Sequence, residues 1–167
     1  MRLNYEIEDT SKPLSRKDTT KKLTDVLENH LNPNNDPRIY TAREVTFDYA
    51  TNHKVRVDFM RFKPVNNSVS GIEKGDVYCY EIKSSVEDFH SGHGLNFLGD
   101  YNYLVMPYDV FKSIEQEIPY YVGVLTLTTE DALESVKKAH RHDRTKPLCE
   151  ILLMMYRSTL RDVKKGK

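Results

Sequence analysis

Two short apolar segments constrain the fold of this chain most strongly. Residues 103–106 read YLVM and are followed by Pro107, and residues 120–128 read YYVGVLTLT. Neither segment shows the strict alternation of apolar and polar residues found in strands with one face in water, so both are typical of strands buried on both faces. Such strands occur mainly in sheets that helices cover, and we therefore predict an α/β fold with a mixed central sheet.

Helices are predicted where apolar residues recur at spacings of three and four. Thr19 or Thr20 is expected to cap the first helix, which continues to Leu31, and two later helices are expected over 108–117 and 147–163. Three further strands, rich in β-branched and aromatic residues, are predicted at 39–49, 54–62 and 76–83. Residues 84–99 are expected to form a loop or short helix, and residues 130–139 fit either a strand or a helix.

Length and composition indicate one globular domain. The 167 residues suit a single core, with a polar lead-in over 1–18 that turns near Pro13 and a basic tail over 164–167. No apolar run approaches the roughly 20 residues of a membrane helix, and the N-terminus is acidic. With only two cysteines, we expect a cytoplasmic protein without a membrane partner. The oligomeric state is left open.

Two charged residues stand inside a predicted strand, at Glu81 and Lys83. Because they are two positions apart, both side chains point to the same face of the strand, and burying two charges is costly unless they are paired or bind a metal. Asp58 lies 23 residues earlier, on the strand predicted to be its neighbour. Two carboxylates with the Ile82 carbonyl would form a site of hard oxygen ligands for Mg²⁺, and Lys83 would assist a metal-bound water. The structural alternative is a cluster of ion pairs at the edge of the sheet.

The sequence around these residues resembles a known family. Asp58 within VDFM at 57–60, followed by YEIKSS at 80–85, resembles the signature of the PD-(D/E)xK, or restriction-endonuclease-like, nuclease superfamily. Together with DF at 88–89 and GDYNYLVMP at 99–107, the pattern is similar to MmcB-like DNA-repair-associated proteins. The resemblance runs from about Arg43 to Leu127. Val57 departs from the motif, which has proline at this position.

The resemblance implies a three-layer α/β/α core and hydrolysis of phosphodiester bonds in DNA, with Mg²⁺ as cofactor and Mn²⁺ as a substitute. It implies that Asp58 and Glu81 are the metal ligands and that Lys83 is the catalytic base or an electrostatic aid. Members often carry a further glutamate ligand, for which Glu28 and Glu44 are the two candidates. The polar residue that usually follows the motif is Ser85, His90, His93 or Asn96. Independently of the resemblance, Arg56 on the predicted hairpin is a further candidate for contact with the substrate.

A net charge of zero, from 25 basic and 25 acidic residues, weighs mildly against a protein that binds duplex nucleic acid. The main alternative is therefore a catalytically inactive module that keeps the nuclease fold and binds nucleic acid or a protein partner. A third interpretation is a purely structural domain.

Overall fold

A computed structural model describes residues 13–166 of the chain. Within this range the elements follow one another as α1 (Arg16–Leu31), β1 (Tyr40–Phe47), β2 (Val55–Lys63), α2 (Val69–Glu73), β3 (Asp76–Ile82), α3 (Val86–His90), β4 (Tyr101–Met106), α4 (Tyr108–Ile114), β5 (Gly123–Leu127), β6 (Leu133–Lys137) and α5 (Leu148–Lys164). A turn of 3₁₀ helix, Glu115–Glu117, extends α4. No helix in this part of the chain has the length and apolar character needed to cross a membrane.

The six strands form one mixed sheet in the order β1-β2-β3-β4-β5-β6. The three central strands, β3 to β5, run parallel to one another, and the outer pairs are antiparallel. β3 and β4 are linked by α3 and its loop, and β4 and β5 by α4, as parallel neighbours require. The predicted α/β fold with a mixed sheet is therefore confirmed.

Alternate residues of the central strands pack into different apolar clusters. In β4, Leu104 packs with residues of α4 such as Phe111, whereas its neighbour Val105 packs with Leu23 and Leu27 of α1. On β1 to β3, a further cluster is centred on α5, which contributes Ile151 and Met155. In β3, Tyr80 and Ile82 pack with α1 whereas Val77 and Cys79 pack with α5, so the two faces alternate as expected for a strand.

Several boundaries differ from the predicted ones. Helix α1 begins at Arg16 because the Ser15 hydroxyl accepts the backbone N–H of Asp18 at 3.2 Å, so the predicted cap at Thr19 or Thr20 is wrong. The polar lead-in therefore ends before residue 16, and its first 12 residues lie outside the described range. The predicted basic tail overlaps the end of α5 at Lys164, and its last residue is also outside that range. Residues 130–139 contain strand β6, and α2 was not predicted.

Candidate metal centre

Strands β2 and β3 separate at the point where the two predicted metal ligands lie. Their last paired residues are Phe59 and Tyr80, so Asp58 and Glu81 would form the next pair. Instead, the Asp58 carboxylate accepts the backbone N–H of Ile82 at 2.9 Å. A side-chain oxygen thus replaces a strand-to-strand bond and brings the two carboxylates together. In a strand the N–H and C=O of one residue point to the same edge, so the Ile82 carbonyl also points toward the gap.

The pairing of β1 with β2 is irregular at the same level of the sheet, at Glu44 and Asp58, and we call this position the irregular row. Arg43 pairs with Phe59 and Val45 pairs with Val57, but Glu44 between them has a φ of +50° and is not paired with Asp58. A non-glycine residue in this conformation costs on the order of 1 kcal/mol. As a result the alternation of faces shifts by one residue in both strands.

Strict alternation would place Val57 and Phe59 on the same face of β2, and this shift separates them. Val57 and Met60 pack in the α5 cluster, and Phe59 packs in the α1 cluster. The irregular row therefore leaves Glu44 across from Asp58 without pairing to it.

Glu81 is a buried carboxyl without a cationic partner among residues 13–166. The residue is 5% exposed. Among the described residues, no Lys, Arg or His nitrogen lies within 4.0 Å of its carboxylate oxygens, the limit for an ion pair. Burial raises the pKa of Glu81 to about 10, and the adjacent Asp58 carboxylate contributes to the rise. The Lys83 ammonium opposes this rise without cancelling it. A divalent cation at this position would supply the missing positive charge.

Lys83 is buried, yet it does not pair with the two acids. Its ammonium donates to the backbone carbonyls of His93 and, at 3.5 Å, Asp88. Its backbone N–H donates to the carbonyl of Val105 at 2.9 Å, which fixes the end of β3 against β4. Among the described residues Lys83 forms no ion pair with Asp58 or Glu81, so the three side chains are not the ion-pair cluster that was the structural alternative.

A glycine loop closes over Glu81 and makes these contacts with Lys83 feasible. Gly92 and Gly94 have φ angles of +73° and +76°, which residues with a side chain rarely adopt. A Cβ atom on Gly94 would lie 2.5 Å from Oε2 of Glu81, whereas one on Gly92 would meet nothing within 4 Å. The close approach of the loop to the carboxylate therefore depends on Gly94.

Three residues that the sequence analysis did not select support the site. The Asp88 carboxylate accepts the N–H of Ser84 at 3.1 Å and pairs with Arg16 at 3.2 Å, which holds the turn after Lys83. Arg161 of α5 donates to the carbonyl of Glu44 at 3.0 Å and to that of the preceding residue, stabilising the irregular row. Asp88 had a visible signal, because a serine followed three residues later by an acid is typical of a helix start.

These residues border a cleft of about 860 Å³ that contains Asp58, Glu81 and Lys83. Of the predicted substrate contacts, Arg56, His93 and Asn96 line the cleft, but Ser85 and His90 do not. Ser85 caps α3 by accepting the N–H of Asp88 at 3.1 Å, and His90 contacts Glu117 at 2.9 Å. The other basic residues that line the cleft are Arg16, Lys54 and Arg161.

The two candidates for a third acidic ligand are placed differently. Glu28 lies outside the cleft and pairs with Arg43 at 3.2 Å, so the structure does not bring it to the site. Glu44 lines the cleft, 3.9 Å from both Arg56 and Arg161. Within residues 13–166, no three His, Cys, Asp or Glu side chains converge on one metal position. The donor set that fits Mg²⁺ is therefore two carboxylates and a carbonyl, which suits an ion that keeps several water ligands.

Comparison with known proteins shows a similar fold but no family. No family model matches the chain, and no curated protein matches it. A solved structure with a similar fold is the SPO1766 protein of unknown function from Silicibacter pomeroyi, with a TM-score of 0.59 and 17% identity. The similarity covers 93% of this chain and 95% of that protein. At this level of identity the likeness shows a shared fold alone.

Proposed function

We propose that this chain is a Mg²⁺-dependent nuclease of the PD-(D/E)xK type, with a three-layer α/β/α restriction-endonuclease-like core, that hydrolyses phosphodiester bonds in DNA. Support for the layers comes from β4, where Leu104 packs toward α4 and Val105 toward α1. We place the protein in the cytoplasm, because both of its cysteines, the buried Cys79 and the exposed Cys149, are free thiols, as is usual in a reducing compartment.

The observation that carries the proposal is the state of Glu81. A carboxyl group that is buried beside a second carboxylate, with no cation of residues 13–166 within ion-pair distance, is costly for the folded protein when it is ionised. Clusters of this kind are common at catalytic centres, where a pKa is shifted for a chemical purpose. A metal ion between Asp58 and Glu81 would remove the cost by allowing both groups to ionise.

In the proposed mechanism each side chain has one task. Asp58 and Glu81 would hold the metal, and the Ile82 carbonyl would add a third oxygen. When bound, Mg²⁺ lowers the pKa of a water ligand and stabilises negative charge on the phosphoryl group. Lys83 orients the attacking water or balances the charge that develops on the phosphate. For this task its ammonium has to exchange at least one loop carbonyl for the water.

The lining of the cleft suits an anionic substrate. Four positively charged residues other than Lys83 border it, namely Arg16, Lys54, Arg56 and Arg161. Positive groups near a phosphodiester backbone position the substrate without reading its sequence. We therefore assign the cleft to binding of the phosphate backbone of DNA. DNA repair is one process in which such a nuclease would act.

The proposal is tested by incubating the protein with supercoiled, linear and single-stranded DNA in Mg²⁺ or Mn²⁺, beside an Asp58→Asn variant. We expect cleavage by the wild type, loss of cleavage in the variant and in EDTA, and a metal-dependent rise in melting temperature in the wild type only. Cleavage that survives in the variant would mean a contaminating nuclease. No cleavage and no metal-dependent stabilisation in any condition would refute the metal site itself.

A second candidate function is a binding module without catalysis, and one observation favours it. The Lys83 ammonium is bonded to the carbonyls of His93 and Asp88, and a lysine held in this way does not contact a metal-bound water. In that case the protein should bind DNA and Mg²⁺ without cutting, and Lys83→Met should leave the affinity for DNA unchanged. Single-turnover cleavage and fluorescence anisotropy on the same samples distinguish the two functions.

A further inference from the structure

Helix α5 carries a second apolar stripe in addition to its core face. Its buried face includes Ile151 and Met155, which pack against the sheet. On another side of the same helix, five apolar residues are exposed at successive spacings of four, three, four and three, namely Cys149, Leu153, Tyr156, Leu160 and Val163. Leu153, Tyr156 and Val163 are each more than half exposed.

This stripe has the spacing of a coiled-coil seam. Residues at alternating intervals of three and four fall on a narrow band along one side of a helix, and such a band is normally covered by another helix. Helices that lie in a membrane surface instead present a broad apolar face. The shape of the stripe therefore fits a single partner helix.

The charges beside the stripe indicate which helix fits. Along one flank, Glu150, Arg157 and Lys164 follow at intervals of seven, and the other flank carries the uncharged Leu152 and Thr159. If two copies of α5 run antiparallel, Leu153 meets Val163 of the partner subunit and Tyr156 meets Leu160 of the partner subunit.

The same alignment places Glu150 beside Lys164 of the partner subunit, and the two-fold axis repeats this pair. A parallel alignment would bring Arg157 and Lys164 against the uncharged flank, and would set two basic helix ends side by side. Glu150 already lies 3.3 Å from Lys146 within its own chain, so it would be shared between two lysines.

The antiparallel alignment brings two like charges together, but each is held by a contact within its own chain. Arg157 would approach Arg157 of the partner subunit at the two-fold axis. Its guanidinium carbon, however, lies 4.3 Å from the ring centre of Tyr49, so its charge is held against its own chain. The stripe also borders an apolar groove of about 570 Å³ between α5 and the edge strand β1, which the partner would help to cover.

We propose that α5 pairs with α5 of a second copy of this chain, in antiparallel orientation, to form a two-fold symmetric homodimer. The proposal is independent of the metal site, because none of the stripe residues lines the cleft that contains Glu81. The pairing covers an exposed apolar surface that a monomeric protein would leave in water.

The first test is the mass of the full chain in solution, measured by sedimentation velocity from micromolar to submillimolar concentration. We expect a species of twice the 19.5 kDa chain mass that dissociates on dilution. Leu153→Glu should raise the dissociation constant by about 30-fold or more, because it places a charge in the seam of each subunit. The matched control Tyr120→Glu, at a residue 78% exposed on another surface, should leave the dimer intact.

The second test addresses orientation. Glu150→Lys should weaken the dimer, and adding Lys164→Glu in the same chain should restore it, since each pair then has opposite charges again. Cys149 reports on the alternative, because only a parallel pairing brings Cys149 against Cys149 of the partner subunit, where mild oxidation would cross-link them. A monomer at every concentration would overturn the proposal, and a Cys149 cross-linked dimer would overturn the antiparallel arrangement.

Discussion

Glu81 and Asp100 are both acidic side chains buried at the ends of central strands, yet their surroundings differ. Asp100 is 2% exposed and accepts the backbone N–H of Val77 at 2.8 Å. Two arginines neutralise it, Arg141 at 3.4 Å and Arg144 at 3.5 Å. Glu81 is nearly as buried but has a second acid beside it and no cation within ion-pair distance among the described residues.

The difference separates a structural acid from one suited to bind a ligand. The pair of arginines lets Asp100 keep its charge in the interior, where it ties the start of β4 to the segment before α5. Those arginines belong to the basic run at 140–146, which on charge alone could also contact nucleic acid. Their place beside Asp100 gives that run a structural task. Glu81 has no such arrangement, and its burial is understandable if a cation completes the site.

The largest expected difference between the two acids is in catalysis. Under the proposed function, Glu81→Gln should lower Mg²⁺-dependent DNA cleavage by on the order of 10³-fold, because it removes a ligand of the metal that stabilises the transition state. Asp100→Asn should retain cleavage at temperatures where it is folded. Initial rates with a fixed DNA substrate measure both. Equal losses in the two variants would show that the comparison does not separate function from structure.

The next largest effect should appear in stability, with the opposite ranking. Asp100→Asn should lower the free energy of unfolding by about 1 to 2 kcal/mol, because it weakens the buried hydrogen bond to Val77 and removes the charge that pairs with Arg144. Glu81→Gln should not destabilise the metal-free protein. Urea unfolding in EDTA at neutral pH checks both variants. A stable Asp100→Asn protein would remove the structural role assigned to this acid.

The pH dependence of stability sharpens the comparison further. The pKa of Glu81 is raised from 4.5 to about 10 in the folded state, so the folded protein keeps a proton that the unfolded chain has released. Stability in EDTA should therefore fall as pH rises above about 4.5, by at most about 1.4 kcal/mol per pH unit from this group. Glu81→Gln should lack this contribution, and its advantage over the wild type should grow with pH.

The control for this measurement is the metal itself. Saturating Mg²⁺ should reverse the order at neutral pH, stabilising the wild type and leaving Glu81→Gln unchanged. Identical pH profiles of the two proteins in EDTA would contradict the raised pKa of Glu81.

The smallest effect concerns the loop over Glu81, where two glycines provide a matched pair. Gly94→Ala and Gly92→Ala both introduce a side chain at positive φ and should each cost about 1 kcal/mol of stability. Only Gly94→Ala also places a Cβ against the Glu81 carboxylate, so only this variant should weaken Mg²⁺ binding. Calorimetric titration with Mg²⁺ compares the two. Equal affinities would show that the loop does not shape the site.

Much of the fold could be predicted from sequence, because it depends on local patterns. The apolar runs indicated the buried strands, and the alternation in β3 placed Glu81 and Lys83 on one face. The irregular row was not predictable, because the positive φ of Glu44 is stabilised by Arg161, which lies 117 residues later in the chain. The direction of the Lys83 ammonium likewise depends on the loop carbonyl of His93, which no spacing rule locates.

The predicted substrate contacts likewise depended partly on local sequence and partly on tertiary packing. His93 and Arg56 lie in the cleft, but His90 is turned toward Glu117 by the geometry of α3, although it is only three residues from His93. Glu28 and Glu44 were equal candidates by sequence, and they separate only once α1 is packed and Glu28 has met Arg43. Local pattern therefore identified the central acids, and tertiary packing decided which groups surround them.

The hydrogen bond that the Ile82 amide donates to Asp58 makes this one backbone proton sensitive to whether the metal site is occupied. In the rest of the β2–β3 ladder, the amide protons that point to the neighbouring strand are held by backbone carbonyls. The Ile82 proton is instead held by a carboxylate that a cation would polarise or draw away. Its nuclear magnetic resonance frequency and its rate of exchange with solvent should therefore follow occupancy of the site directly. A single amide would thus report binding in the intact, isotope-labelled protein, without substitution of any residue and before any substrate is known.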